Sequence, residues 1–225
     1  MEVRFLSGTQ TMLKIFLLRW VGNFLVLSAV AGVVLTFAPA IQAELIYRNH
    51  QATNVHFVVS GDLPPVNLLN QPQKVLEISP LDPNFGMIIP KIGANARIID
   101  NVDANNYDVY IKALQNGVAH ASGSVYPGEV GNAYFFAHSV GNFWEVSRWN
   151  AVFYLLKELT PGDEVNIFYQ GKRFIYVVYD KKIVGPEETN YLSTQASFPL
   201  LTLQTCWPPG TTLKRLLVFG RLKNF

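Results

Sequence analysis

Leu200-Leu201-Thr202-Leu203-Gln204-Thr205-Cys206-Trp207-Pro208-Pro209-Gly210, followed at a short distance by Arg215, holds the one cysteine of this 225-residue chain. From Leu200 to Cys206 the residues alternate as in a β-strand, whose side chains point to opposite faces in turn. Leu201, Leu203 and Thr205 share one face; Thr202, Gln204 and Cys206 share the other. A lone thiol cannot close an internal disulfide, so Cys206 is either an inert core residue or a reactive group. A structural cysteine belongs among the leucines. This one lies with the polar set at the strand's C-terminal end, which favours reactivity.

Outward from that strand, the Pro208-Pro209-Gly210 connection leads into a second strand, Leu213 to Leu222, opened by Arg215. Upstream, strand patterns recur at Gly86–Pro90, Ala96–Asp100, Asn132–His138, Glu164–Tyr169 and Lys172–Val184, with Gln170-Gly171 as a hairpin turn. Tyr107, Tyr110, Ile111 and Leu114 recur at helical spacing over Asn106–Asn116, and Gly117 stops that helix. Phe143 to Leu159 also alternates in a helix-like way. Short strands at close spacing with few helices predict a mainly β fold over 85–225, an antiparallel-rich barrel or sandwich. Aromatic residues, 13% of the chain, supply its core.

The N-terminus is a different kind of sequence. Trp20 to Ala38 carries no charge over about 19 residues, close to the length that crosses a bilayer core. Lys14 and Arg19 flank it, and Pro39 is expected to end it. Residues 1–38 therefore read as a cytoplasmic start and single transmembrane anchor, with the rest exported. The rival is a cleaved signal peptide, since Ala38-Pro39-Ala40 resembles a cleavage site. In residues 39–84, rich in proline and polar residues, a short helix around Ala43–Asn49 is read as continuing from the membrane, and the rest reads as a tether. A net charge of +2 without a Lys/Arg cluster argues against nucleic acid.

A cysteine nucleophile needs a base or ion-pair partner, because a free thiol is only partly ionised near neutral pH. His50 and His56 fall in the tether. His120 follows the helix, and His138 ends an apolar strand, from which it can project into a cleft beside another strand end. His138 is the preferred partner. Attack on an amide carbonyl also builds negative charge on oxygen, which a fixed cation stabilises. Arg215 fits that part if its strand neighbours that of Cys206; arginine cannot serve as a base. Lys214 points to the opposite face.

Thr202-Leu203-Gln204-Thr205-Cys206 ending a strand, with Arg215 opening the next, resembles the signature of sortases, the membrane-anchored cysteine transpeptidases of bacterial surfaces. Ile89-Pro90-Lys91-Ile92-Gly93 is similar to the family's first core strand and turn. Gly117-Val118-Ala119-His120 through Tyr126-Pro127-Gly128-Glu129-Val130-Gly131-Asn132 to Ala137-His138 follows the family's path to its catalytic histidine. The resemblance covers about residues 86–222. It implies a sortase-type β-barrel of about eight strands with short helices, behind the N-terminal transmembrane helix.

By the same resemblance Cys206 is the nucleophile, His138 its acid/base partner and Arg215 the oxyanion or substrate-positioning residue; His120 matches a second, non-catalytic histidine. The implied substrates are secreted proteins with a C-terminal sorting signal (LPXTG-like), read by the Gly185–Ser197 loop. The implied acceptor is an amine of a peptidoglycan precursor or a pilin lysine. No organic cofactor is implied. Some relatives bind calcium, for which Glu129, Glu187 and Glu188 are the loop carboxylates. Phe-Phe-Ala-His-Ser departs from the Gly-His-Arg-like sequence of many relatives, and the Trp207–Thr212 loop is closer to housekeeping or class D-like members.

Two other exported cysteine acyl-transferases fit poorly. L,D-transpeptidases place His, Gly, Cys and Arg within a few residues, and papain-like hydrolases run Cys before His. The non-enzyme alternative is a membrane-tethered β-barrel that binds a surface polymer or protein, with an inert Cys206.

Overall fold

The computed structural model describes residues 3–62, 74–139, 152–192 and 196–224. The chain divides into two compact units, 1–41 and 42–225. Helix α1 (Val3–Ala52) is followed by β1 (Val55–Val59) and β2 (Lys74–Ile78), then β3 (Phe85–Ile89), β4 (Ala94–Val102), α2 (Tyr107–Asn116) and β5 (Val118–Ala121). β6 (Gly131–Phe136), β7 (Glu164–Tyr169), β8 (Lys172–Val184), β9 (Pro199–Trp207) and β10 (Lys214–Leu222) complete it.

β3 to β10 close into an eight-stranded barrel in the order β10-β8-β7-β3-β4-β5-β6-β9. The mainly β expectation holds, and closure decides for a barrel over a sandwich by leaving no unpaired edge. Two neighbour pairs run parallel, β4 with β5 and β6 with β9. A parallel pair needs a crossover, and α2 supplies the one between β4 and β5. Its N-terminus is capped by Asn106, whose side chain accepts from the Val109 N–H. Gly117 then turns the chain into β5; a Cβ there would lie 2.3 Å from the Arg97 carbonyl oxygen, so the turn admits only glycine. In the β7–β8 hairpin Gln170 and Gly171 both take positive φ, 51° and 74°, as a tight two-residue turn requires.

Strand alternation sorts the apolar residues into two cores. Met87, Ile98, Val118, Phe135, Ile167, Leu201, Leu203 and Val218 fill the barrel interior. Tyr134, Phe136, Leu200, Leu217 and Phe219 form a second cluster with Leu114 of α2, joined by Tyr191, Leu192 and Phe198 from the β8–β9 connection. Each fully buried side chain of this size contributes about 1.5–3 kcal/mol. The second core ties α2 and the β8–β9 connection to the barrel's outer surface, and the candidate site lies there.

Three parts of the chain differ from expectation. α1 continues through Pro39 to Ala52; proline removes one backbone donor but does not end a helix whose neighbours (Ala38, Ala40, Gln42, Ala43, Glu44) are mostly good helix formers. Its membrane-compatible stretch is Thr11–Leu35, 25 residues, and so takes in Lys14 and Arg19. The 39–84 segment carries more structure than a tether: β1 and β2 pair in parallel, and Asp62 forms a two-pronged ion pair with Arg173 of β8 at 2.6 Å. Of the helix-like Phe143–Leu159 stretch, 143–151 lies outside the described residues, and Tyr154–Glu158 is a short 3-10 helix that buries Leu155 and Leu156.

Candidate active site

β6 and β9 are parallel neighbours, so their C-terminal ends emerge side by side at one end of the barrel. Their register pairs Phe136 with Gln204. Continued by two residues, it sets His138 level with Cys206. On the other side of β9 the antiparallel register pairs Cys206 directly with Arg215. The three residues singled out in the sequence thus lie in one row across three adjacent strands. All three line a cavity of about 300 Å³, with Tyr110 and Leu114 of α2, Leu192 and Gln204 also contributing.

Local bonds hold that row in place. The Ala137 N–H donates to the Gln204 carbonyl at 3.1 Å, and the buried Thr205 hydroxyl donates to the Ala137 carbonyl at 3.0 Å. The residue before His138 is therefore fastened to the residue before Cys206. The Arg215 guanidinium donates through Nη1 to the carbonyls of Thr212 and Lys214, at 3.0 and 3.1 Å. Nε and Nη2 have no protein acceptor among the described residues and remain for an occupant of the cavity. Further along β9, Thr202 donates to Asn132, and Asn132 donates to the Tyr191 carbonyl, which pins the β8–β9 connection at the cavity's edge.

Sequence reasoning gave no part at the site to Gln204, Thr205, Tyr110 or Tyr134. Tyr134 is 1% exposed, and its hydroxyl donates to Gln204 Oε1 at 2.6 Å. Burial pushes its phenol well above the ordinary value, although Arg215 opposes this. Tyr110, half-buried on α2, is also pushed up, first by burial and then by the nearby Cys206. Its recurrence with Leu114 in the helix pattern was visible, but not that this face overlies a thiol.

His120 does not reach the cavity. It is 2% exposed, with Nδ1 3.0 Å from Asp100 Oδ1 and Nε2 3.1 Å from the Val125 carbonyl, and is packed by Phe85 and Phe135. Ser124 Oγ lies 2.9 Å from Nε2, which gives a Ser–His–Asp succession, but that hydroxyl bonds to the Ala121 carbonyl and the whole set is part-buried structure. A larger cavity of about 670 Å³ beside β1 holds none of the candidate residues. Its charges pair with one another: Arg173 with Asp62, Lys91 with Asp163, and Lys223 with Glu164. Glu129 accepts from the Tyr126 N–H and Glu188 from the Gly185 N–H. Among the described residues, no group of three His, Cys, Asp or Glu side chains is placed to hold a metal ion.

Residues 87–223 match the family profile described as Sortase domain. Sortase D of Bacillus subtilis (strain 168) is 29% identical over 136 residues, which make up 59% of this chain and 60% of that protein, so the match spans less than two thirds of the relative's length. The crystal structure of sortase C-1 from Actinomyces oris superposes with a TM-score of 0.54 at 29% identity, over 64% of this chain and 76% of that one. Sortase A from Corynebacterium diphtheriae, a lid mutant, gives 0.53 at 24% identity, over 84% and 95% of the two chains, a likeness of fold.

Proposed function

This chain belongs to the sortase family, and on that premise we propose that it is a membrane-anchored cysteine transpeptidase acting on secreted proteins that end in an LPXTG-like sorting signal. The observation that carries the reading is the single row of His138, Cys206 and Arg215 along one cavity.

The proposed reaction is acyl transfer in two steps. Cys206 gives its proton to His138, and its sulfur attacks the carbonyl of a Thr–Gly-type bond. The carbonyl oxygen becomes an oxyanion facing the open donors of Arg215. Collapse of that intermediate breaks the C–N bond, His138 returns the proton to the departing amine, and a thioester remains on Cys206. An amine of a peptidoglycan precursor or of a pilin lysine then attacks the thioester and loses a proton to His138; sulfur departs and recovers that proton. Water in place of the amine gives hydrolysis as a side reaction. No step draws on a metal or organic cofactor.

The test is turnover of a sorting peptide with an added amine. Wild type is expected to release the C-terminal fragment and join the N-terminal fragment to the amine, and Cys206→Ala to do neither. Release by the Cys206→Ala protein overturns the assignment. Failure of wild type to turn over any sorting peptide, with Cys206 unreactive toward an alkylating probe, favours a tethered binding barrel instead.

A further inference from the structure

We infer that Gln204, held in place by Tyr134, is a substrate-positioning residue that donates its carboxamide N–H to the substrate backbone carbonyl two residues upstream of the one Cys206 attacks. The inference rests on the acyl-transfer reading above and deepens it by fixing where an extended peptide lies.

Gln204 and Cys206 share the outer face of β9 and line the same cavity. An amide side chain in a cavity is useful for recognition only if it is held one way round. The Tyr134 hydroxyl, donating at 2.6 Å, occupies Oε1 and so sets the orientation. Burial keeps the Tyr134 phenol in its donor form across the range in which proteins work. Nε2 then carries two N–H donors, with no protein acceptor among the described residues. Such donors favour an occupant that brings a carbonyl.

The spacing says which carbonyl. Residues two apart on a strand are separated by roughly 7 Å, and so are the like-facing carbonyls of an extended peptide. With the attacked carbonyl at Cys206, the one at Gln204 belongs two residues away. It lies on the acyl side, because the acyl half stays bound between the two steps while the amine half departs. A fixed donor on that side serves both steps.

The experiment uses the full-length chain in detergent and a Leu-Pro-Xaa-Thr-Zaa peptide library, with the best substrate resynthesised carrying a thioamide at the Pro carbonyl. A neutral hydrogen bond of ordinary strength predicts a roughly five- to tenfold loss in kcat/KM on thioamide substitution, expressed in KM. Gln204→Met is expected to lose a similar factor on the ordinary peptide and to become insensitive to the thioamide; Tyr134→Phe is expected to show a partial form of both. Alkylation of Cys206 by a small probe should not change in either variant. Wild type and Gln204→Met losing equally on thioamide substitution, or neither losing, overturns the inference while leaving the acyl-transfer reading intact. Absence of any thioester from wild type with the whole library overturns that reading, and the inference with it.

Discussion

Thr205 and Cys206 are adjacent in sequence and face opposite ways. Cys206 looks into the outer cavity, whereas the buried Thr205 hydroxyl grips the Ala137 carbonyl at 3.0 Å just before His138. Thr205→Val keeps the volume but leaves that carbonyl without its hydroxyl partner, an expected cost of about 1–3 kcal/mol. Chemical denaturation should show that loss, and kcat should fall more than KM changes if His138, less well placed in the variant, is the acid/base residue as proposed. If Arg215 stabilises the oxyanion as proposed, Arg215→Ala should lower the rate of thioester formation by roughly 10²–10³-fold, the usual effect of deleting such a donor, with peptide KM little changed. Rapid-quench kinetics would check it. That Cys206, His138 and Arg215 gather at one cavity was legible because residue type, strand position and chain order each narrowed the choice. Alternation put Gln204 on the thiol's face, but its bond to Tyr134 and the places of Tyr110 and Tyr134 were not legible, because they depend on which strands and helix lie side by side.

Among the elements, β7 and β8 were legible to the residue, since a hairpin turn brackets two alternating runs. β5 was not. Val118–Ala121 has only four residues and is buried at every one, so it shows no alternation. Its approach depends on Gly117, and Gly117→Ala should destabilise the barrel, because the new Cβ meets the Arg97 backbone rather than a movable side chain. A lowered thermal midpoint would confirm it. The C-terminal part of α1 is held by Glu44, which accepts from Arg48 at 2.8 Å and from Lys157 at 3.0 Å. Those two bonds, Arg48 first, hold its carboxyl below the ordinary carboxylate value despite some burial. A depressed folded value stabilises the protein above the unfolded value, and the gain disappears as pH falls through the folded one. The melting difference between wild type and Glu44→Gln should therefore be present at neutral pH and fade as pH drops below about 4.

At the scale of the molecule, the alternating strands implied a β fold of two packed layers or one closed layer. What selects closure is the pairing of β9 with both β6 and β10, a long-range fact absent from local pattern. The N-terminal span was legible from its lack of charge, and Thr11–Leu35 is long and apolar enough to cross a bilayer. If it does, the full chain should stay with the membrane fraction through an alkaline wash and be released only by detergent. Protease added to intact cells should remove the barrel if Lys14 and Arg19 hold the N-terminus inside. Recovery in the wash supernatant would contradict anchoring.

Whether Cys206 carries the acyl group between donor and acceptor is decided by intact-mass spectrometry of the full-length protein quenched in acid during turnover of a sorting peptide. The expected result is an added mass equal to the peptide's N-terminal fragment, mapped to Cys206, accumulating when amine is withheld and discharged when amine is added. No adduct during active turnover, or an adduct mapped to any other residue, would contradict it.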